Sequence, residues 1–148
     1  MASFKYNGVD ALDLTFEKMA NLSGDDLLRI IRPGAELLRE RLIEKVRAIF
    51  TQRSGSLANS FKLKERVWAD GAGISVLPTG KHPKSSTGKR RSNGSYQGTN
   101  AEVAFILEYG SPRIGATHFM ENTAEESEQE VYNAMDAELT QILRERGL

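Results

Sequence analysis

The sequence predicts one α+β domain over residues 1–148. Its expected form is a small, mostly antiparallel sheet of about three to four strands, packed against a long helix in the N-terminal half and a C-terminal helix. Three observations predict it. Apolar stripes of helical period run through residues 25–52 and 119–146. Period-two runs occupy 61–67, 74–76 and 103–109. Between the last two runs, residues 78–99 hold five basic groups and no acidic one, with almost nothing to bury. Such a segment cannot offset the entropy of ordering itself, which predicts a long flexible loop over about 79–100.

Taken in order, Ser3-Phe4-Lys5-Tyr6 reads as a short strand ending at the turn signal Asn7-Gly8. Leu12, Phe16 and Met19 then fall at helical spacing, predicting a short helix over 9–22. From Asp25 to Gln52 the apolar positions Leu28, Ile31, Ala35, Leu38, Leu42, Val46 and Ile49 draw one stripe. Asp25 and Asp26 suit the positive end of that helix. Pro33-Gly34 interrupts it, because proline removes a backbone donor and clashes with the preceding turn. Either the helix kinks, or one helix ends near Arg32 and a second begins with Pro33 in its first turn; the second option is slightly favoured.

Gly55 can take the positive φ that ends the helix. Phe61, Leu63 and Val67 then point one way from a strand, and Lys62, Lys64 and Arg66 the other. Asp70 to Gly73 forms a turn, and Ile74 and Val76 start a return strand that Pro78 stops. After the basic loop, Val103, Phe105, Leu107 and Tyr109 alternate with Glu102, Ala104, Ile106 and Glu108, which predicts a central strand. Gly110-Ser111-Pro112 closes it. In the last helix Val131, Met135, Leu139 and Ile142 form the stripe, Glu121, Glu125 and Glu126 load the positive end, and either Thr117 or Asn122 is the N-cap. The expected core includes Leu38, Leu42, Val46, Phe61, Leu63, Phe105, Leu107 and Val131.

Composition narrows the chemistry. With no cysteine, disulfides, thiolate metal sites and cysteine nucleophiles are excluded. No apolar run approaches the ~20 residues that span a bilayer, and the first residues lack the apolar region of a secretory signal. Net charge is zero but uneven. Residues 1–77 carry 12 basic and 10 acidic groups, 78–99 carry five basic and none acidic, and 100–148 carry three basic and ten acidic. A basic segment and an acidic one on one domain invite head-to-tail contact between copies, although both also suit plain solvated surface.

No catalytic constellation stands out. His82 lies in the basic loop, and His118, before a helix start, suits a cap or a packed side chain. No His/Asp/Glu group has metal-ligand spacing, no phosphate loop follows a strand and no serine sits in a nucleophile elbow. The sequence therefore predicts no enzyme, no cofactor and no metal. Candidate contact residues are Lys81, Lys84, Lys89, Arg90 and Arg91 in the loop, together with Trp68. The tryptophan faces away from Phe61 and Leu63 and either anchors an interface or packs beneath a helix. The loop's single aromatic, Tyr96, is a poor match to stacking-based nucleic-acid binders, but phosphate contact without sequence readout stays open.

Three stretches together resemble one family. Ser54-Gly55-Ser56-Leu57-Ala58-Asn59-Ser60, after the long helix, is similar to the family's (T/S)G-x-L-x-x-S junction. Leu107-Glu108-Tyr109-Gly110-Ser111 is similar to its V-E-F/Y-G-T/S strand end. His118-Phe119-Met120 followed by Thr123-Ala124 resembles the P-F-hydrophobic-x-P-A opening of its last helix, with His118 and Thr123 standing where the family has proline. The family is the minor tail-component, or tail-completion, proteins of long-tailed bacteriophages and prophages, also called neck or head–tail joining proteins. The order of elements matches along nearly the whole chain.

The resemblance implies a structural virion protein that forms a ring in the neck or tail end. It further implies a location in the virion, in host cytoplasm during assembly, and partners among the head connector or adaptor and the tail tube or terminator. Packaged DNA is a possible non-specific contact, and no membrane is involved. Gly55, Leu57, Ser60, Glu108, Tyr109, Gly110, Phe119 and Ala124 are the motif residues. Glu108 is expected to pair with an arginine such as Arg53 or Arg113. The alternative is a small nucleic-acid-binding module using the basic loop 81–91.

Overall fold

The computed structural model describes residues 22–50, 55–82 and 98–145 in full, and 2–7 and 11–16 as backbone strands. The chain is α+β. Its elements are β1 (Ala2–Asn7), β2 (Ala11–Phe16), α1 (Gly24–Ile49), a 3-10 turn (Ala58–Ser60), β3 (Phe61–Trp68), β4 (Gly71–Pro78), α2 (Asn100–Tyr109) and α3 (Phe119–Glu145).

The first correction lies in β2, where the sequence suggests a helix. Leu12, Leu14 and Phe16 alternate strictly, and Asn7-Gly8 precedes them as a hairpin signal. The antiparallel register sets Tyr6 opposite Leu12 and Phe4 opposite Leu14, so apolar positions pair across the strands. Leu12 and Phe16 fit both periods, and pairing with β1 decides between them.

α1 opens with a capping box. Ser23 Oγ accepts from the Asp26 amide at 3.2 Å, and the Asp26 carboxylate accepts from the Ser23 amide at 3.0 Å. It then runs unbroken through Pro33, against the favoured expectation of two helices. Proline inside a helix costs about 3 kcal/mol. The stripe on both sides of it outweighs that cost, since Ile30, Ile31, Ala35, Leu38, Leu42 and Val46 are all buried. Gly34 serves the packing: a Cβ there would lie 2.9 Å from Val131 Cγ1 and 2.8 Å from Met135 Cγ, so α3 crosses α1 closely at this point.

β3 and β4 form an antiparallel hairpin pairing Phe61 with Pro78 and Trp68 with Gly71. The turn is Ala69-Asp70, and Gly71 to Gly73 already belong to β4. Phe61, Leu63, Glu65 and Val67 face α1: Phe61 is fully buried, Arg39 Nε donates to the Phe61 carbonyl at 2.7 Å, and Glu65 pairs with Arg32 at 2.8 Å. β4 is buried on both faces, and β2 runs close beside it. The described strands pair two by two, as β1–β2 and β3–β4, and not as one hydrogen-bonded sheet of three or four.

The second correction is α2, read from sequence as a central strand. A capping box closes its N-terminus: Thr99 Oγ1 accepts from the Glu102 amide at 3.2 Å, and Glu102 accepts from the Thr99 amide at 2.9 Å. Its buried side is Asn100, Ala104 and Glu108, at helical spacing. Phe105, expected in the core, is 52% exposed, and Leu107 and Leu63 are half-buried. The other expected core residues, Leu38, Leu42, Val46, Phe61 and Val131, are buried.

The expected loop over 79–100 is ordered at both ends. His82 N donates to Gly98 O at 2.8 Å, Asn100 N donates to Gly80 O at 3.0 Å, and Lys81 bridges Thr99. Its middle, 83–97, lies outside the described residues. Among the described residues no helix is long and apolar enough to cross a membrane.

Candidate functional site

The three motif stretches build two junctions. At the first, Gly55 has φ 67° and its carbonyl accepts from Asn59 N at 3.0 Å. Leu57 is buried, and Ser60 Oγ donates to the Leu57 carbonyl at 2.6 Å. Ser60 O in turn accepts from both Thr79 N and Thr79 Oγ1, at 2.9 and 2.8 Å. The Ser60 hydroxyl thus closes the 3-10 turn on Leu57, and its main-chain carbonyl ties the entry of β3 to the exit of β4.

The second junction joins α2 to α3. Glu108 is 1% exposed at the end of α2. Its Oε2 accepts from Met120 N at 2.8 Å and its Oε1 from Glu121 N at 3.3 Å. A carboxylate on the first free amides of a helix satisfies orphan donors and complements the macrodipole. Glu108 is therefore the cap of α3, in place of Thr117 or Asn122. Thr117 instead bonds back to the Leu107 carbonyl through its hydroxyl, at 2.6 Å. Of the two arginines expected beside Glu108, Arg113 makes no ion pair with it among the described residues, where backbone amides take the carboxylate, and Arg53 lies outside the described residues.

Gly110 follows at φ 82°, where a Cβ would lie 2.8 Å from both Ala116 N and Ile114 O. Phe119 is fully buried, edge-on to Phe50 at 5.3 Å between ring centres, and Ala124 is buried beside it in the core. Tyr109 is 47% exposed, with its ring 4.8 Å from that of Phe105. Phe105, Ile106, Tyr109 and the nearby Ile114 leave α2 an outward apolar side.

His118, at φ 48°, places Nδ1 3.5 Å from Glu121 Oε2 and 4.0 Å from Glu108 Oε1. The fold thus gathers three side chains of metal-ligand type that no sequence spacing announces. Both Glu108 oxygens are already committed to helix amides, and the positive end of α3 opposes a cation there. The trio is read as capping chemistry.

Asn100 is the residue sequence reasoning missed. It is 3% exposed, and its Nδ2 donates to Thr79 O at 2.8 Å. Its Oδ1 accepts from Ser56 Oγ at 3.1 Å and lies 3.0 Å from His82 Nδ1, which places the imidazole proton on Nδ1. One amide thereby ties the Gly55 junction, the end of β4, the base of the basic segment and the start of α2. The available signal was its place one residue after the cap in Thr99-x-x-Glu102.

The contact candidates divide. Lys81 is exposed beside the Thr99 bridge, and Trp68 is 46% exposed. Lys84, Lys89, Arg90 and Arg91 lie outside the described residues. Trp68 shares a strand face with Lys62, Lys64 and Arg66, all exposed on the side of β3 away from α1. On α3, Glu126 pairs with Lys45, Glu130 with Arg41, and Glu138 and Glu145 with Arg29, at 2.7 to 2.9 Å. The hydrogen bonds that Arg29 and Arg41 donate to Glu145 and Glu130 hold their guanidinium groups above their already high range. Glu125, Glu128 and Asp136 lie on the opposite side of the helix and make no ion pair among the described residues. Compared with family models, characterised proteins and solved structures, the chain matches none.

Proposed function

We propose that this chain is a structural assembly protein of the tail-completion or head–tail joining class, acting as a ring in the neck or tail end of a long-tailed phage. The observation that carries the assembly role is α2. It is pinned at one end by the Thr99–Glu102 box and Asn100 and at the other by Glu108 and Gly110, yet it turns Phe105, Ile106 and Tyr109 outward. A short helix fixed at both ends by polar contacts, with an apolar outer side, is suited to a partner. The resemblance supplies the particular assembly. It rests on residues that serve as structural joints, with Glu108 capping α3, Gly110 making a turn only glycine allows and Ser60 locking the hairpin.

The test is complementation in a phage or prophage that encodes this chain. Without it, DNA-filled heads and separate tails should accumulate, as counted by negative-stain microscopy. Purified protein added to that lysate should restore joined, infectious particles. Normal virions in its absence would reject the role. Joined particles that leak DNA would favour the reading in which the basic segment contacts packaged DNA.

A further inference from the structure

Among the described residues, the fold leaves two rows of surface charge of opposite sign that make no ion pair. The basic row is Lys62, Lys64 and Arg66, with Trp68 at its end, on the outer face of β3. Its length is about 13 Å at the rise of a strand. The acidic row is Glu125, Glu128 and Asp136, spaced by three and eight along α3 and so on one side of it. It extends about 16 Å at the rise of a helix. The basic row lies on the face of β3 opposite Phe61 and Leu63, and Lys62 also borders a cleft lined by Glu36, Arg39 and Glu40 of α1. The α1-facing side of β3 is taken by Phe61 and the Glu65–Arg32 pair. The α1-facing side of α3 is taken by Val131 and Met135, flanked by the Glu126 and Glu130 ion pairs. Among the described residues no ion pair links the two rows within one copy.

We propose that the β3 face of one copy docks on the acidic side of α3 of a second copy, head to tail. This rests on the assembly reading and deepens it by naming the surfaces. Rows of opposite charge and comparable length that make no ion pair with each other within one copy can meet between copies. A contact between two different surfaces continues from copy to copy and closes into a ring when the rotation permits. Trp68, 46% exposed at the end of the row, supplies the apolar anchor that charges alone lack. The occupant is a second copy in preference to nucleic acid because the chain is electrically neutral overall. Its acidic row would repel the phosphates that the basic row attracts.

The first experiment mixes 14N- and 15N-labelled full-length protein with a carbodiimide, which joins an amine to a carboxylate without a spacer. Mixed-isotope cross-links from Lys62 or Lys64 to Glu125, Glu128 or Asp136 are expected. The second uses two charge-reversed proteins, one carrying Lys62→Glu, Lys64→Glu and Arg66→Glu, the other Glu125→Lys and Glu128→Lys. By sedimentation each should self-associate at least tenfold more weakly than wild type, and 1 M salt should weaken wild type likewise. An equimolar mixture of the two should recover association, because each then meets an opposite charge.

Wild-type association that neither reversal changes, with cross-links elsewhere, would overturn these surfaces and leave the assembly role standing. Failure of wild type to associate or cross-link at any concentration would overturn the interface, and head–tail complementation would then decide the role separately. Wild-type binding to duplex DNA that the β3 reversal abolishes, without self-association, would make nucleic acid the occupant and overturn the proposal.

Discussion

Gly110 shows how narrowly one residue can be constrained. Its φ of 82° and ψ of 177° lie in a region that side chains exclude. The space around it is equally closed, since Ala116 N and Ile114 O would both sit 2.8 Å from a Cβ. Both are backbone atoms and cannot swing aside. Gly110→Ala should therefore destabilise the protein by about 1–3 kcal/mol or more. Urea unfolding with an unchanged m-value would measure it; a loss below about 0.5 kcal/mol would mean that the turn relaxes freely. The sequence marked this glycine through its place in Glu108-Tyr109-Gly110. It could not mark the role of Glu108, because that carboxylate acts on amides 12 and 13 positions later. Long-range capping leaves no local spacing to read.

Among the elements, the longest were the most legible. α1 and α3 carry stripes over 26 and 27 residues, and burial enforces them even across Pro33. β3 and β4 were legible from alternation and from the charge of Lys62, Lys64 and Arg66. Two short elements were misread in opposite directions for one reason. In β2 the apolar residues fit both periods, and in α2 apolar residues stand at nearly every position, so alternation and helical spacing coexist. Ends decide such cases, by Asn7-Gly8 for the hairpin and by Thr99-x-x-Glu102 for the helix. Ten residues make a marginal helix without support. Thr99→Ala should cost about 1 kcal/mol and fray the start of α2. Thr99→Ser should restore most of it, and the pair of unfolding curves would separate capping from general packing.

At the scale of the whole molecule, the basic segment leaves and re-enters through one clasp. His82 and Gly98 share a backbone hydrogen bond, and Asn100 holds the residues around it. The segment between, residues 83–97, can therefore be shortened without moving either end. Replacing it with Asn-Gly should leave the fold intact. Stability should be unchanged or raised by up to about 1–2 kcal/mol, because a shorter loop loses less entropy on closure. A replacement that fails to fold would show that the core draws on this segment. Complementation of heads and tails by the folded replacement then reports whether Lys84, Lys89, Arg90 and Arg91 take part in joining.

The bond from Glu108 to the first amides of α3 also has a consequence in time. Met120 N and Glu121 N have their hydrogen-bond acceptor on another helix, so they can exchange with solvent only when α2 lets go. The opening of α2 is thereby recorded at α3. In a hydrogen–deuterium experiment the first turn of α3 should exchange at the rate of α2 release, and a partner gripping Phe105 and Tyr109 should slow it without touching it. Those two amides form a built-in clock for whether the outward face of α2 is occupied.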